Sequence, residues 1–110
     1  MEHVPTPEAT LVRLAKRLGC SVDTLRVHAG RQAAHVDHRR AAIWALRTAY
    51  QGLTVQELGK LFGYRDHTTV VYHLRAVEAR RRIDAKYAHT LDTLLPGKYR
   101  RVRTPAYEMV

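Results

Sequence analysis

Residues 61–69 read LFGYRDHTT, and this stretch decides the fold. Leu61 and Phe62 close one apolar run. Gly63 can take the left-handed backbone that ends a helix. Asp66 can accept a backbone N–H at the start of the next one. His67, Thr68 and Thr69 then fill the first turn of that second helix. Two helices joined by so short a turn form a helix-turn-helix. In such motifs the first residues of the second helix meet base edges in the major groove. An acid, an imidazole and two hydroxyls at that place point to DNA reading.

Upstream, Thr54-Val-Gln-Glu57 is a capping box that opens the first helix of the pair. Val55, Leu58, Leu61 and Phe62 face inward. Downstream, Val70, Leu74 and Val77 give the second helix its buried stripe, while Arg75, Arg80, Arg81 and Arg82 project. The Arg80–Arg82 run is either a solvated helix end or a set of phosphate contacts. From Asp84 to Leu95 the chain can continue as helix, with Ile83, Tyr87, Leu91 and Leu94 as its apolar side, until Pro96-Gly97.

Before the capping box, a helix is expected from Val36 or Asp37 to about Tyr50. Ile43, Leu46 and Tyr50 recur at helical spacing beside Ala42, Ala45 and Ala49. The alanines let neighbours approach closely, and Trp44, off that stripe, covers a second contact surface. The segment from His28 to His35 lacks a period and reads as a loop. Ser21 caps a short helix carrying Val22, Leu25 and Val27. The first helix has Thr6 as cap, Pro7 at its first position, Leu11, Leu14, Ala15 and Leu18 as its stripe, and Gly19 as its stop. No pair of strands with a hairpin turn appears. The expected fold is all-α, a small bundle of about six helices containing the helix-turn-helix. Residues 7–95 form the domain, and 96–110 form a basic, flexible tail.

The chain has 110 residues and a formal net charge of +9, with 45% hydrophobic residues. That length suits one small domain, and the charge suits an anionic partner, nucleic acid ahead of acidic proteins or membrane surfaces. Cys20 is the one cysteine, so no internal disulfide is possible; it reads as a small packing residue. No apolar run approaches the ~20 residues of a membrane span. MEHVPTPEAT lacks the order of a signal peptide. The expected location is the cytoplasm, with no membrane partner.

LFGYRDHTTVVYHLRAVE, from Leu61 to Glu78, together with TVQELGK, from Thr54 to Lys60, resembles the C-terminal DNA-binding domain of the bacterial replication initiator DnaA. The similarity is dense over Thr54–Glu78 and looser over Leu11–Leu53, where the helix order and CSVDTL carry it. The resemblance implies roles by position. Asp66, His67 and Thr68 fall where the family reads bases. Their chemistry agrees: a carboxylate accepts from cytosine N4, an imidazole donates to a purine N7, and a threonine methyl meets a thymine methyl. Arg40 falls where the family inserts an arginine into the minor groove, whose A·T-rich form attracts cations. Arg65 and Thr69 support base reading and grip phosphate. Arg39, Lys60 and Arg75 are further candidates for the DNA backbone. The chain departs from the family at Tyr64, where glycine is common, at Ala41, where glutamine is frequent, and at His38-Arg39, in place of Arg-Pro.

Other uses compete with these. Asp66 can serve as a helix cap and a DNA contact together. His67 has a solvated-surface alternative, and Arg40 a phosphate or plain surface alternative. His73, further along the same helix, packs or faces solvent. His35 and His38 have the spacing of a metal pair, with Asp37 between them, but no third ligand is identifiable. No metal, cofactor or catalytic group is assigned. The chain has no GxxxxGK[ST] phosphate loop and no acid/base or nucleophile constellation, so no enzyme is expected. The reading is a sequence-specific double-stranded DNA-binding protein with DnaA-box-like recognition, a replication or transcription regulator without ATPase activity. Two alternatives stand beside it. One is a protein-interaction module that modulates the initiator through Trp44 and the last helix. The other is a phage-type DNA-binding subunit with a replication or phage protein as partner.

Overall fold

The computed structural model describes residues 5–26 and 32–95. These fold into six helices in chain order: α1 (Pro7–Leu18), α2 (Val22–Leu25), α3 (Ala33–Ala49), α4 (Val55–Phe62), α5 (Thr68–Ile83) and α6 (Ala85–Asp92). Among the described residues there is no strand. Val27 and residues 28–31, the tail from 96 to 110 and its boundary lie outside them.

Local chemistry sets most of the helix ends. The Thr6 hydroxyl accepts the Ala9 N–H at 3.2 Å, and Gly19 stops α1 in the left-handed region at φ 76°. Ser21 accepts the Thr24 N–H at 3.2 Å and opens α2. At α4 both halves of the capping box are present, with Glu57 N–H on the Thr54 hydroxyl and Thr54 N–H on the Glu57 carboxylate.

α3 is the spine, packing against α1, α2, α4 and α5. Ala41, Ala42, Ile43, Ala45, Leu46 and Ala49 bury completely or nearly so, and the small side chains let the surrounding helices close in. Leu11, Leu14, Leu25, Leu58, Phe62, Val70 and Val77 complete the core from the other elements. Thr10 donates to the Tyr50 hydroxyl at 2.6 Å, and Tyr50 donates in turn to the Pro5 carbonyl, so α1 is tied to the end of α3.

Three expectations need correction. α3 begins at Ala33, so Ala33–His35 are helical rather than part of a loop. The residue before it, Gln32, makes no side-chain cap bond, and alanines carry no apolar period, so nothing local marks that start. Ile83 does not join the apolar side of the last helix; it is 87% exposed. Asp84 leaves helical geometry at φ −132°, ψ 93° and caps α6 by accepting the Tyr87 N–H at 3.0 Å. That break puts Ile83 out of phase with Tyr87, Leu91 and Leu94. Arg39, expected on the surface, is 3% exposed. Its guanidinium donates to the carbonyls of Leu25 at 2.8 Å and Arg26 at 2.9 Å, closing the C-terminal end of α2.

Trp44 occupies the contact surface expected of it, and α3, α5 and α6 meet there. Its indole N–H donates to Glu78 at 2.8 Å. The Arg81 guanidinium lies 4.4 Å from the ring centroid and pairs with Asp92 at 3.0 Å. With one face covered by Arg81 and its N–H engaged, Trp44 joins helices of this chain instead of presenting a bare docking face.

Candidate nucleic-acid interface

Backbone bonds close the end of α4 where the turn to α5 begins. Gly63 sits at φ 84°, which a side chain would strain. Its N–H reaches the Lys60 carbonyl at 3.2 Å, and the Tyr64 N–H reaches that of Gly59 at 2.8 Å. This double closure is the Schellman pattern that satisfies the last carbonyls of a helix.

At the other side of the turn, Asp66 Oδ1 accepts the Thr68 N–H at 2.9 Å. His67 has helical dihedrals, φ −66° and ψ −14°, and makes no side-chain cap bond. The capping group of α5 is therefore Asp66, one residue earlier than the first helical dihedrals. The Thr68 backbone bond holds the Asp66 carboxyl below its ordinary range, so it is ionised at neutral pH. Only Oδ1 is spent on the cap; Asp66 is 71% exposed, and Oδ2 is left for another donor. The His67 ring nitrogen lies 3.9 Å from Asp66, beyond hydrogen-bond range. Its ring is thus not held by Asp66.

Arg65, Asp66, His67 and Thr68 are all exposed, and Thr69 is half-buried. Thr68, Tyr72 and Arg75 follow at helical spacing on the solvent face of α5. Thr68, Tyr72 and Arg75 therefore share one face of α5, with Arg65, Asp66 and His67 exposed just before it and Thr69 half-buried at its edge. Lys60 is exposed on α4 in a different neighbourhood, beside Arg26, Glu57, Leu61 and the start of α1. Arg39 lies inside the bundle, and burial at the end of α2 removes it from the candidate contacts.

Arg40 is brought to the recognition helix from α3. Its Nε donates to His73 Nδ1 at 3.0 Å, and its guanidinium carbon lies 5.6 Å from the Tyr72 ring centroid. His73 is 7% exposed and also meets the Tyr64 hydroxyl through Nε2 at 3.0 Å. Burial, with the Arg40 and Arg39 charges added to it, lowers the His73 pKa to about 4. The ring is thus neutral at pH 7. An arginine only donates, so Nδ1 must be the acceptor and Nε2 carries the proton. The Tyr64 oxygen then accepts from Nε2. Burial pushes the Tyr64 hydroxyl up, so it stays protonated.

Tyr64, Tyr72 and His73 were not among the residues assigned to the site from sequence. Tyr72 had a signal, its place one turn beyond Thr68 on the same face. His73 sits at a core-facing position, where a polar residue needs partners that only tertiary contacts reveal. Among the described residues, no three of His, Cys, Asp or Glu gather into a metal-binding group. Nor is any helix among the described residues long and apolar enough to cross a membrane. The Cys20 thiol is pushed up by burial, as suits a packing residue.

Comparison with known proteins bears on the same surface. The family described as "Bacterial dnaA protein helix-turn-helix" matches residues 9–77. Two curated relatives match over 56 residues at 41% identity. Each is a chromosomal replication initiator protein DnaA of Caulobacter vibrioides, from strains NA1000 / CB15N and ATCC 19089 / CIP 103742 / CB 15. The matched stretch is 51% of this chain and 11% of each relative. No solved structure matches the chain.

Proposed function

The chain belongs to the bacterial DnaA helix-turn-helix family, and we propose that it binds double-stranded DNA sequence-specifically, with DnaA-box-like recognition. The observation that carries this is the N-terminal end of α5. Asp66 is locked by its Thr68 bond, and His67 and Thr68 stand exposed beside it. A recognition helix entering the major groove presents those residues to base edges. Arg65, Thr69 and Arg75 grip the flanking phosphates, with Lys60 as an outlying phosphate contact. Arg40 reaches the adjacent minor groove from α3. The net charge of +9 supplies the nonspecific attraction on which base reading builds.

The chain acts as a replication or transcription regulator in the cytoplasm. It works by occupying initiator-type sites, without ATP hydrolysis, cofactor or metal. The test is equilibrium binding of the 110-residue chain to a DnaA-box duplex and to a scrambled duplex of equal composition. The box should bind at least about tenfold more tightly at moderate salt, a modest demand beside the roughly thousandfold at which the usual gap between specific and nonspecific sites begins. Equal affinity for both would refute specific recognition and leave a general basic binder.

A further inference from the structure

We propose that His73 is a positioning residue for Arg40, holding the arginine beside the recognition helix in the orientation that DNA requires. This rests on the proposed DNA-binding reading. It goes beyond that reading by assigning a specificity role to a residue that meets no DNA.

Arg40 belongs to α3 and is not part of the helix-turn-helix, yet its guanidinium is fixed against α5. Nε is bound to His73 Nδ1 at 3.0 Å, and Tyr72 lies under the group at 5.6 Å. His73 cannot turn away, because its opposite nitrogen is bound to Tyr64 in the turn at 3.0 Å. The three side chains form one chain of bonds, from the turn through the recognition helix to α3. A single donor of the guanidinium is spent in this way, and the two terminal nitrogens remain for acceptors in a groove. His73 is one turn beyond Thr69, so the fixed arginine lies about one helical turn from the residues that face bases.

A free arginine loses many rotamers when it enters a groove. One already fixed by a neutral acceptor loses fewer, and binding is tighter by the difference. The neutral form of His73 is essential, since a protonated ring has no acceptor for Arg40. Any buried imidazole must satisfy both of its nitrogens; what marks His73 is which groups satisfy them, Arg40 on α3 and Tyr64 in the turn. Here those bonds join the very elements that must keep register on DNA.

The test measures binding of the wild type, His73→Ala, His73→Gln, Arg40→Ala and the double variant Arg40→Ala/His73→Ala. The probes are duplexes with one DnaA box and either an A·T-rich or a G·C-rich flank. His73→Ala should lose about three- to tenfold on the A·T flank, the scale of one immobilised side chain, and markedly less on the G·C flank. His73→Gln, whose side-chain oxygen can accept from Arg40, should restore binding. In the double variant the His73 change should add nothing to Arg40→Ala. In the free protein, the Arg40 Nε–H should exchange slowly with solvent in the wild type and rapidly in His73→Ala.

Equal loss on both flanks, a loss additive with Arg40→Ala, or failure of Gln to rescue would overturn the positioning role. Should His73→Ala unfold, Tyr64→Phe takes its place. It removes one hydroxyl and should give a smaller loss with the same flank dependence; a flank-independent loss overturns the role equally. If the wild type does not separate box from scrambled duplex, the DNA-recognition reading fails and the inference falls with it. If it does and the His73 effect ignores the flank, the positioning role alone fails.

Discussion

Lowering the pH from 7 to 5 should remove about 2 kcal/mol of folding stability through His73 alone. Its pKa in the folded chain is lowered from 6.5 to about 4, because it is buried beside the charges of Arg40 and Arg39. The unfolded chain therefore takes up a proton first. Stability is fully present above the unfolded value and is lost as pH falls from 6.5 to about 4. Each pH unit between the folded and unfolded pKa values is worth about 1.4 kcal/mol, so the loss levels off near ~3 kcal/mol once the folded chain is protonated too. Exposed carboxylates such as Asp66 and Glu57, also held down by cap bonds, weaken the fold over an overlapping range. They are identical in a His73→Gln variant, which keeps an acceptor for Arg40 and does not titrate. Urea unfolding of both proteins at half-unit steps from pH 7.5 to 4.5 isolates the histidine as the difference between two curves. The wild type should fall below the variant progressively under pH 6.5, with a slope approaching one proton. Parallel curves would show that His73 titrates normally, and the neutral clamp on Arg40 would be wrong.

Other perturbations separate the roles assigned above. His67→Ala and Thr68→Ala should each cost roughly 1–3 kcal/mol on a box duplex and little on random duplex, read by competition binding; equal losses on both would show that these residues do not read bases. Arg40→Ala should weaken binding to A·T-flanked sites more than to G·C-flanked ones, and a deficit blind to the flank would end its minor-groove assignment. Arg39→Ala should destabilise the fold by about 2–4 kcal/mol in thermal or urea unfolding, because the Leu25 and Arg26 carbonyls lose charged donors; an unchanged midpoint with weaker DNA binding would return Arg39 to the surface. Removal of residues 97–110 deletes Lys98, Arg100, Arg101 and Arg103 and should lower affinity for all duplexes alike, with a salt slope smaller by about 0.9 for each phosphate the tail neutralises; an unchanged slope would mean that the tail is idle on DNA.

What the sequence disclosed was local. The Thr54–Glu57 box, Gly63 and Asp66 each act within four residues, so their types announce the two helices and the turn without tertiary knowledge. Asp66 and its neighbours were legible for the same reason, since a helix N-terminus is exposed wherever the turn before it is. What stayed hidden depends on contacts between distant segments. Arg39 looks like a surface charge until the end of α2 is placed 13 or 14 residues away in sequence as its acceptor. His73 interrupts the expected apolar stripe of α5, and only Arg40 and Tyr64, from two other elements, explain how a polar ring is satisfied there. Ile83 shared a helical period with Tyr87 and Leu91, a relation that holds only if the helix runs on; the Asp84 break cancels it. The start of α3 carried no signal because Ala33 and Ala34 fit a helix without demanding one.

The most direct test of DNA recognition is selection of bound duplexes from a random-sequence pool by the 110-residue chain. Two rounds at moderate salt, followed by sequencing, suffice. Base reading by α5 should enrich one short motif resembling a DnaA box, with A·T-rich sequence at one end, and the core motif should disappear when His67 and Thr68 are both alanine. A pool that remains random, or an enriched motif that survives the double substitution unchanged, would contradict base reading from the N-terminal end of α5.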